Sequence, residues 1–248
     1  KAYETMSYFE GLLAYYEITG EKKYFTAVDN FIEAVAKSDL TIIGCSGCTH
    51  ELFDNSSVKQ TEYAENIMQE TCVTVTWMRI SLRMFMQTGD SKYVDRIEKS
   101  GLNALYGSLN KKHNAIYNLL DKKFVNGMTF DSYSPLYMNS RGRGTGGYME
   151  FSHGGSCGCC EAIGACGVAL MPLTAVMKAK EGVIVNYLFN GESRLEDKNG
   201  QDFKLVFKSD YPSENNGQII VKTNGKADVG LFVRLPAFAE TIINGKNF

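Results

Sequence analysis

The sequence predicts a mainly α-helical protein whose last part changes to antiparallel β structure near residue 182. Before that point, apolar residues recur at the three-to-four-residue spacing of amphipathic helices. After it, apolar and polar residues alternate with a period of two, and Asn-Gly turns separate the runs. We therefore expect a helical portion over residues 1–181 and a β-sandwich portion over residues 182–248.

The helices are predicted from apolar spacing and from the residues that end them. Residues 3–19 form the first helix, which Gly20 ends, and residues 22–38 form the second. Two further helices are expected from about Thr71 to Gln87 and from about Lys92 to Leu109.

A short motif occurs twice in this helical part. Thr19-Gly20-Glu21-Lys22-Lys23-Tyr24 is followed 69 residues later by Thr88-Gly89-Asp90-Ser91-Lys92-Tyr93. Each copy follows one predicted helix and opens the next. The period suits helical hairpins stacked around a ring or solenoid, although Thr-Gly-acidic is also a common turn between helices.

The middle of the chain is expected to be rich in loops over residues 112–156. Its glycine-rich run at Arg141–Gly147 lacks the preceding strand and following helix of a phosphate-binding loop. A Gly/Ala-rich helix should follow from near Cys159 to around Lys180, close-packed at its glycines. Strands are then predicted at Val183–Phe189, Phe203–Lys208, Gln218–Lys222 and Val229–Leu235.

The charge balance argues against nucleic-acid and membrane partners. The chain has 248 residues, with 26 Lys and Arg against 28 Asp and Glu, and the two signs are interleaved. No stretch approaches the roughly 20 apolar residues that span a bilayer. Both ends look cut, so we expect a piece of a longer protein. Its location, cytoplasmic or periplasmic or secreted, stays open.

The cysteines point to a metal more than to crosslinks. There are seven, an odd number, so they cannot all pair within the chain. Three of them crowd into Cys157-Gly158-Cys159-Cys160, where pairing of neighbours would be strained. Such clustering favours metal ligation.

A second group, Glu70-Thr-Cys72, precedes a predicted helix. At a helix entry, non-helical backbone lets both side chains converge on one ion, and the helix dipole favours their negative forms. Cys159 and Cys160 stand ahead of another predicted helix. Three thiolates and one carboxylate form a tetrahedral zinc set. The spacing of 87 residues between Cys72 and Cys159 is not that of a zinc finger, and buried cysteines without function are the alternative.

The irregular segment 40–66 holds a competing pair, Cys45-Ser-Gly-Cys48, with His50 close by. This pair could bind a metal, act as a redox pair, form a disulfide or have no function. Glu51 lies in the same loop, where catalytic groups are often held, although most loop glutamates are only solvated. His113 and His153 have no motif around them.

These motifs together resemble the β-L-arabinofuranosidase family, glycoside hydrolase family 127, once called DUF1680. The resemblance rests on Glu70-Thr-Cys72 and the helix ending at Gly89-Asp90-Ser91-Lys92-Tyr93, Cys157-x-Cys159-Cys160, Val183-Ile-Val-Asn-Tyr-Leu-Phe-Asn-Gly191, Ser209-Asp-Tyr-Pro212, Leu231-Phe-Val-Arg-Leu-Pro236 and Ile243-Asn-Gly245. The family is built on an (α/α)6 barrel followed by β-sandwich domains. About five helices are predicted here, so the resemblance implies that the first part of the barrel and the rest of the sandwich region are absent.

The resemblance also implies the site. Its zinc ligands would be Glu70, Cys72, Cys159 and Cys160, with Cys159 as the nucleophile of a retaining glycosidase. The family's acid/base is a glutamate in a His-Gly-Glu-like context. Glu51 is the nearest match, with Asp54 as second candidate because the gap to Glu70 is longer than expected.

The implied reaction is zinc-dependent hydrolysis of β-L-arabinofuranosides or related plant glycans. Cys-Cys is followed here by Glu161-Ala-Ile-Gly164 instead of the family's frequent Pro-Pro-Asn, which indicates a divergent branch and leaves the sugar open. Two other readings remain: a structural zinc site in a carbohydrate-binding or scaffold protein, and a thiol redox protein using Cys45 and Cys48.

Overall fold

The computed structural model describes residues 1–49, 51–62, 67–109, 115–118, 123–126, 130, 133–136, 159–226 and 228–247. It has mixed helix and strand content. The chain divides into two compact units. The first comprises Lys1–Gly89 and Arg96–Leu170, and the second comprises Asp90–Asp95 and Met171–Phe248.

The described helices agree closely with the sequence pattern near the start of the chain. They are α1 (Ala2–Thr19), α2 (Lys22–Ser38), the one-turn α3 (Ser56–Lys59), α4 (Thr71–Thr88), α5 (Lys92–Lys99) and α6 (Cys159–Ala175). The predicted helices at 3–19, 22–38 and 71–87 are thus confirmed to within a residue or so. Among the described residues, no helix is both long and apolar enough to cross a membrane.

Both copies of the repeated motif end a helix in the same way. Gly20 and Gly89 adopt left-handed backbone, with φ of 71° and 70°. Their N–H groups donate to Tyr16 O and Phe85 O, each at 2.8 Å. This is the glycine cap that the sequence predicted. Stacking of the repeats into a ring remains a prediction.

The run predicted as one helix from Lys92 to Leu109 changes character. It is α-helical only to Lys99 and continues as a π-helical segment over Ser100–Leu105. Two contacts accompany the change. The Asn103 side chain donates to Lys99 O at 2.8 Å, and Ser100 Oγ donates to Gly44 O at 2.7 Å. A side chain that occupies a helix carbonyl competes with the α-helical bond to it.

Helix α6 ends at Ala175, so the prediction that it reaches Lys180 is wrong. Pro172 lacks an N–H for the last turn. Val176–Ala179 instead forms strand β5, which pairs with Gly182–Val185 across a tight turn. The predicted close packing at the glycines is confirmed, because a Cβ on Gly167 would lie 2.6 Å from Val75 Cγ2.

Short strands occur in the middle segment that the sequence predicted as loop. They are β2 (Ala115–Asn118), β3 (Lys123–Asn126) and β4 (Tyr133–Pro135). Strand β2 pairs antiparallel with β3, and β4 pairs antiparallel with β1 (Met68–Glu70), which lies earlier in the chain, just before α4. His113, His153 and the glycine-rich run at 141–147 lie outside the described residues.

The second unit carries two three-stranded sheets. Its strands are β5 (Val176–Ala179), β6 (Gly182–Val185), β7 (Gly191–Glu196), β8 (Asp202–Ser209), β9 (Gly217–Thr223), β10 (Gly230–Val233), β11 (Ile242–Ile243) and β12 (Lys246–Asn247). The sheet orders are β10-β6-β5 and β7-β8-β9. Alternation along β8 is confirmed, since Phe203, Leu205 and Phe207 are buried and pack with Val183 and Val185.

Three details of this unit differ from the sequence prediction. Strand β7 is polar and was not predicted. Strand β6 stops at Val185, short of the predicted Phe189; beyond it, Asn186 N–H donates to Ala175 O and its side chain to Thr174 O, both in the last turn of α6. Strand β10 pairs parallel with β6, whereas an all-antiparallel arrangement was expected. The expected barrel and sandwich remain predictions for the complete architecture.

Candidate metal and active site

A strand-to-helix junction positions the first two predicted ligands. Strand β1 runs directly into α4, and Glu70 stands between them with extended backbone, φ −106° and ψ 131°. Cys72 is the second residue of α4. Because the Glu70 backbone is extended and not helical, its side chain need not follow the angular spacing of helix residues. The side chains of both Glu70 and Cys72 contact Cys160.

Helix α6 brings the other two predicted ligands, since it begins with Cys159 and Cys160. The Sγ atoms of Cys72 and Cys160 are 3.1 Å apart, and those of Cys159 and Cys160 are 4.0 Å apart. All three sulfurs lie within 4.8 Å of one another. Cys72 and Cys160 are buried, whereas Cys159 is exposed. Cys157 lies outside the described residues.

The carboxylate of Glu70 lies beside the three thiols. Its Oε1 is 3.8 Å from Cys160 Sγ. Its Oε2 is buried and has no hydrogen-bond partner within the described part of the chain. Burial, followed by the negative charges of Cys160 and Glu51, raises the pKa of Glu70 to about 8. The hydrogen bond with Cys160, followed by burial, raises the pKa of Cys72. Acidic groups gathered in a desolvated place are stabilised by a cation.

The donor set fits zinc. Tetrahedral Zn–S bonds of about 2.3 Å separate two sulfurs by about 3.8 Å. The sulfur separations here, from 3.1 Å to within 4.8 Å, bracket that value. The buried oxygen of Glu70 without a partner supplies a fourth donor of the right type.

Glu51 lies beside this cluster without belonging to it. The loop that carries it joins the residue before strand β1 through a bridge between Thr49 and Ile67, and its negative charge is one of the causes that raise the pKa of Glu70. Glu51 Oε2 binds Lys1 Nζ at 2.6 Å, and its side chain is only 14% exposed. Its backbone is left-handed with φ 60°, a conformation that non-glycine residues seldom adopt outside special sites.

Asp54, the second acid/base candidate, lies in a different setting. It forms an ion pair with Lys59, and its side chain is 43% exposed. Its backbone N–H donates to the buried Asp39 carboxylate at 2.9 Å. These contacts fasten the loop that carries Asp54 to Asp39 and Lys59.

The competing pair Cys45 and Cys48 is buried, and both thiols are free. Burial raises the pKa of Cys45 to about 12 and also raises that of Cys48. Cys45 Sγ lies 3.0 Å from Thr41 Oγ1, and Cys48 Sγ lies 4.0 Å from Ser56 O. Redox cysteines need an accessible thiol of low pKa, so this pair does not suit that role. His50 lies outside the described residues.

Two residues near the site were not singled out by sequence reasoning. Lys1 is 50 positions from Glu51, and no local pattern links them. Glu161 accepts the Phe130 N–H at 3.1 Å, directly after the cysteine pair. The sequence Glu161-Ala-Ile-Gly164, which stands where the family often has Pro-Pro-Asn, was the sequence feature that could have drawn attention to Glu161.

Comparison with known proteins places the chain in a family. A profile of the β-L-arabinofuranosidase GH127 catalytic domain matches residues 2–169. The chain therefore belongs to the GH127 family of glycoside hydrolases. A search of curated proteins finds no significant match.

Solved structures of glycoside hydrolases, two of them from GH127, share the fold. A GH127 β-L-arabinofuranosidase from Geobacillus stearothermophilus T6 matches all of this chain, with a TM-score of 0.72 and 17% identity. A second GH127 β-arabinofuranosidase matches 96% of it, with a TM-score of 0.74 and 22% identity. A further glycoside hydrolase matches all of it, with a TM-score of 0.70 and 19% identity. The chain covers 38%, 34% and 42% of those three proteins.

Proposed function

We propose that the chain is a zinc-dependent, retaining glycoside hydrolase that acts on β-L-arabinofuranosides or related plant glycans. One observation carries the proposal. In a chain of the GH127 family, three thiols and a buried carboxylate from two helix starts converge within a few ångströms. Zinc would be held by Glu70, Cys72, Cys159 and Cys160. When bound, it supplies positive charge that keeps the thiols ionised near neutral pH.

Cys159 is the nucleophile in this proposal. It is the exposed member of the three clustered thiols, whereas Cys72 and Cys160 are 4% and 1% exposed. A nucleophile must reach the anomeric carbon, and a closed structural site would bury all of its ligands. The exposure of Cys159 therefore favours a catalytic site over a purely structural one.

The reaction has two displacements. Cys159 Sγ attacks the anomeric carbon while the bond to the leaving oxygen breaks and Glu51 donates a proton to that oxygen. The sugar is then joined to Cys159 as a thioether. In the second step Glu51 takes a proton from water, the water oxygen attacks the anomeric carbon, and the carbon–sulfur bond breaks. Two inversions give net retention.

Metal analysis with matched variants tests the zinc site. We expect one zinc per chain in the wild type and loss of zinc in Glu70→Ala and Cys72→Ser. Cys166→Ser is the matched control, because Cys166 is an exposed thiol on the same helix, α6. A folded wild-type protein without zinc would contradict the proposed site.

Activity on aryl β-L-arabinofuranosides and other aryl pentofuranosides tests the chemistry. Glu51→Gln should lower kcat/KM for unactivated substrates by about 10²–10⁴-fold. Cys159→Ser should abolish detectable turnover, because the nucleophile is lost. Full activity in Cys159→Ser would overturn the proposed mechanism.

A further inference from the structure

We propose that Lys1 is a positioning residue for Glu51, holding its carboxyl group where it exchanges a proton with the glycosidic oxygen. This inference rests on the proposed function and adds a residue to that site. Lys1 Nζ donates to Glu51 Oε2 at 2.6 Å. In the first displacement the proton of the Glu51 carboxyl group is therefore carried by the other oxygen, Oε1, which this contact leaves for the glycosidic oxygen. The Lys1 side chain is 55% exposed and that of Glu51 is 14% exposed, so the lysine reaches inward from solvent.

The backbone makes the same connection a second time. The Ala2 N–H donates to Glu51 O at 2.7 Å. Gly47, with φ 63°, allows this approach, because a Cβ there would lie 2.6 Å from Ala2 Cβ. The start of α1 and the loop of Glu51 are therefore joined by a backbone bond, a side-chain bond and a close contact.

The other side of the loop is tied to the strand that leads to Glu70. Met68 N–H donates to Cys48 O at 3.0 Å, and Thr49 forms an isolated antiparallel β-bridge with Ile67. Strand β1 ends two residues beyond Met68 at Glu70. Glu51 is thus held between α1 and the strand carrying a proposed ligand, in a left-handed conformation that its surroundings enforce.

The contact between Lys1 and Glu51 should affect the reaction rate more than the free energy of unfolding. A half-exposed ion pair contributes little to the free energy of unfolding. A proton donor displaced by about 1 Å can lower a rate by about 10²-fold. Removing the Lys1 ammonium should therefore leave the fold intact and impair proton donation.

Leaving-group dependence of kcat/KM, which reports the first displacement, separates positioning from a structural role. Two substrates are compared: an alkyl β-L-arabinofuranoside, whose departure needs a proton, and the dinitrophenyl glycoside, which leaves without one. Lys1→Met should lower kcat/KM for the alkyl glycoside by about 10- to 100-fold and leave the dinitrophenyl glycoside nearly unchanged. Lys1→Arg should recover most of the loss.

Two further variants complete the experiment. Glu51→Gln should show the same leaving-group dependence more strongly. Lys23→Met is the matched control, since Lys23, the second residue of α2, also forms a 2.6 Å ion pair, with Glu21. It should behave as the wild type.

The outcomes are distinguishable. Equal losses on both substrates, or no loss, in Lys1→Met would overturn the positioning role while Glu51→Gln keeps its leaving-group dependence. Absence of that dependence in Glu51→Gln would overturn the assignment of Glu51. A wild-type chain inactive on both substrates would overturn the proposed function and this inference with it.

Discussion

The cysteines of this chain differ in exposure, and that difference separates their roles. Cys72 and Cys160 are buried against Glu70, while Cys159, next in sequence to Cys160, faces solvent. Adjacent residues at a helix start point in different directions. This geometry is compatible with the proposed roles, in which Cys160 belongs to the buried part of the ligand set while Cys159 also meets the substrate.

Thiol alkylation tests the assignment of the remaining cysteines. We expect Cys166 to react readily with iodoacetamide at pH 8, because it is exposed. Cys45 should resist, because burial raises its pKa to about 12 and leaves little thiolate at that pH. Cys48, also buried with a raised pKa, should resist as well. Peptide mass spectrometry after timed labelling measures each rate. Fast modification of Cys45 or Cys48 in the folded protein would revive the redox interpretation.

At the scale of elements, the site depends on how loops dock against helices. The loop before Cys45 meets the start of the π-helical segment at Gly44. A Cβ on Gly44 would lie 2.8 Å from both N and Cα of Ser100, and its φ is 85°. Backbone atoms cannot move aside as the end of a side chain can, so this contact requires glycine.

A pair of glycine substitutions isolates that contact. Gly20→Ala imposes a left-handed backbone on alanine in open space and should cost about 1 kcal/mol in the free energy of unfolding. Gly44→Ala carries the same backbone penalty together with the clash, and should cost about 1–3 kcal/mol more. Urea denaturation of both variants measures the difference. Equal losses would show that the loop at Gly44 can retreat from Ser100 without penalty.

At the scale of the whole chain, one buried ion pair joins distant parts of the second unit. Arg234 is 3% exposed and pairs with Asp95, 139 positions earlier. Its Nε donates to Asn186 O at 2.8 Å, and its guanidinium lies 5.6 Å from the centre of the Tyr187 ring. The pair fastens the segment 90–95 to the strands of this unit.

Replacing only Arg234 should lower the free energy of unfolding more than replacing both Arg234 and Asp95. Arg234→Met leaves the carboxylate of Asp95, which is 15% exposed, without its partner and should cost about 1–3 kcal/mol. The double variant Asp95→Leu/Arg234→Met removes both charges and should recover a large part of that loss. Chemical denaturation of the two variants and the wild type measures it. A double variant less stable than Arg234→Met would mean that other contacts of these residues dominate.

Much of the local structure was predictable because its causes are local. The ends of α1 and α4 follow from Gly20 and Gly89, whose caps bond to carbonyls four residues back. Strand β8 follows from the alternation of Phe203, Leu205 and Phe207 with polar neighbours. The π-helical segment and the early end of α6 were missed, because each depends on contacts or pairing that apolar spacing does not record.

The sequence by itself determined the chemical types at the site and the order of elements that carry them. Glu70-Thr-Cys72 and Cys159-Cys160 at two helix starts are visible without coordinates. Only the tertiary structure decided that the thiols of Cys72, Cys159 and Cys160, 87 positions apart at Cys72 and Cys159, meet within 4.8 Å. It also decided that Lys1 reaches Glu51, and that β10 pairs parallel with β6. Helical and strand periodicity arise from bonding within a few residues, whereas convergence of distant residues depends on how the whole chain packs.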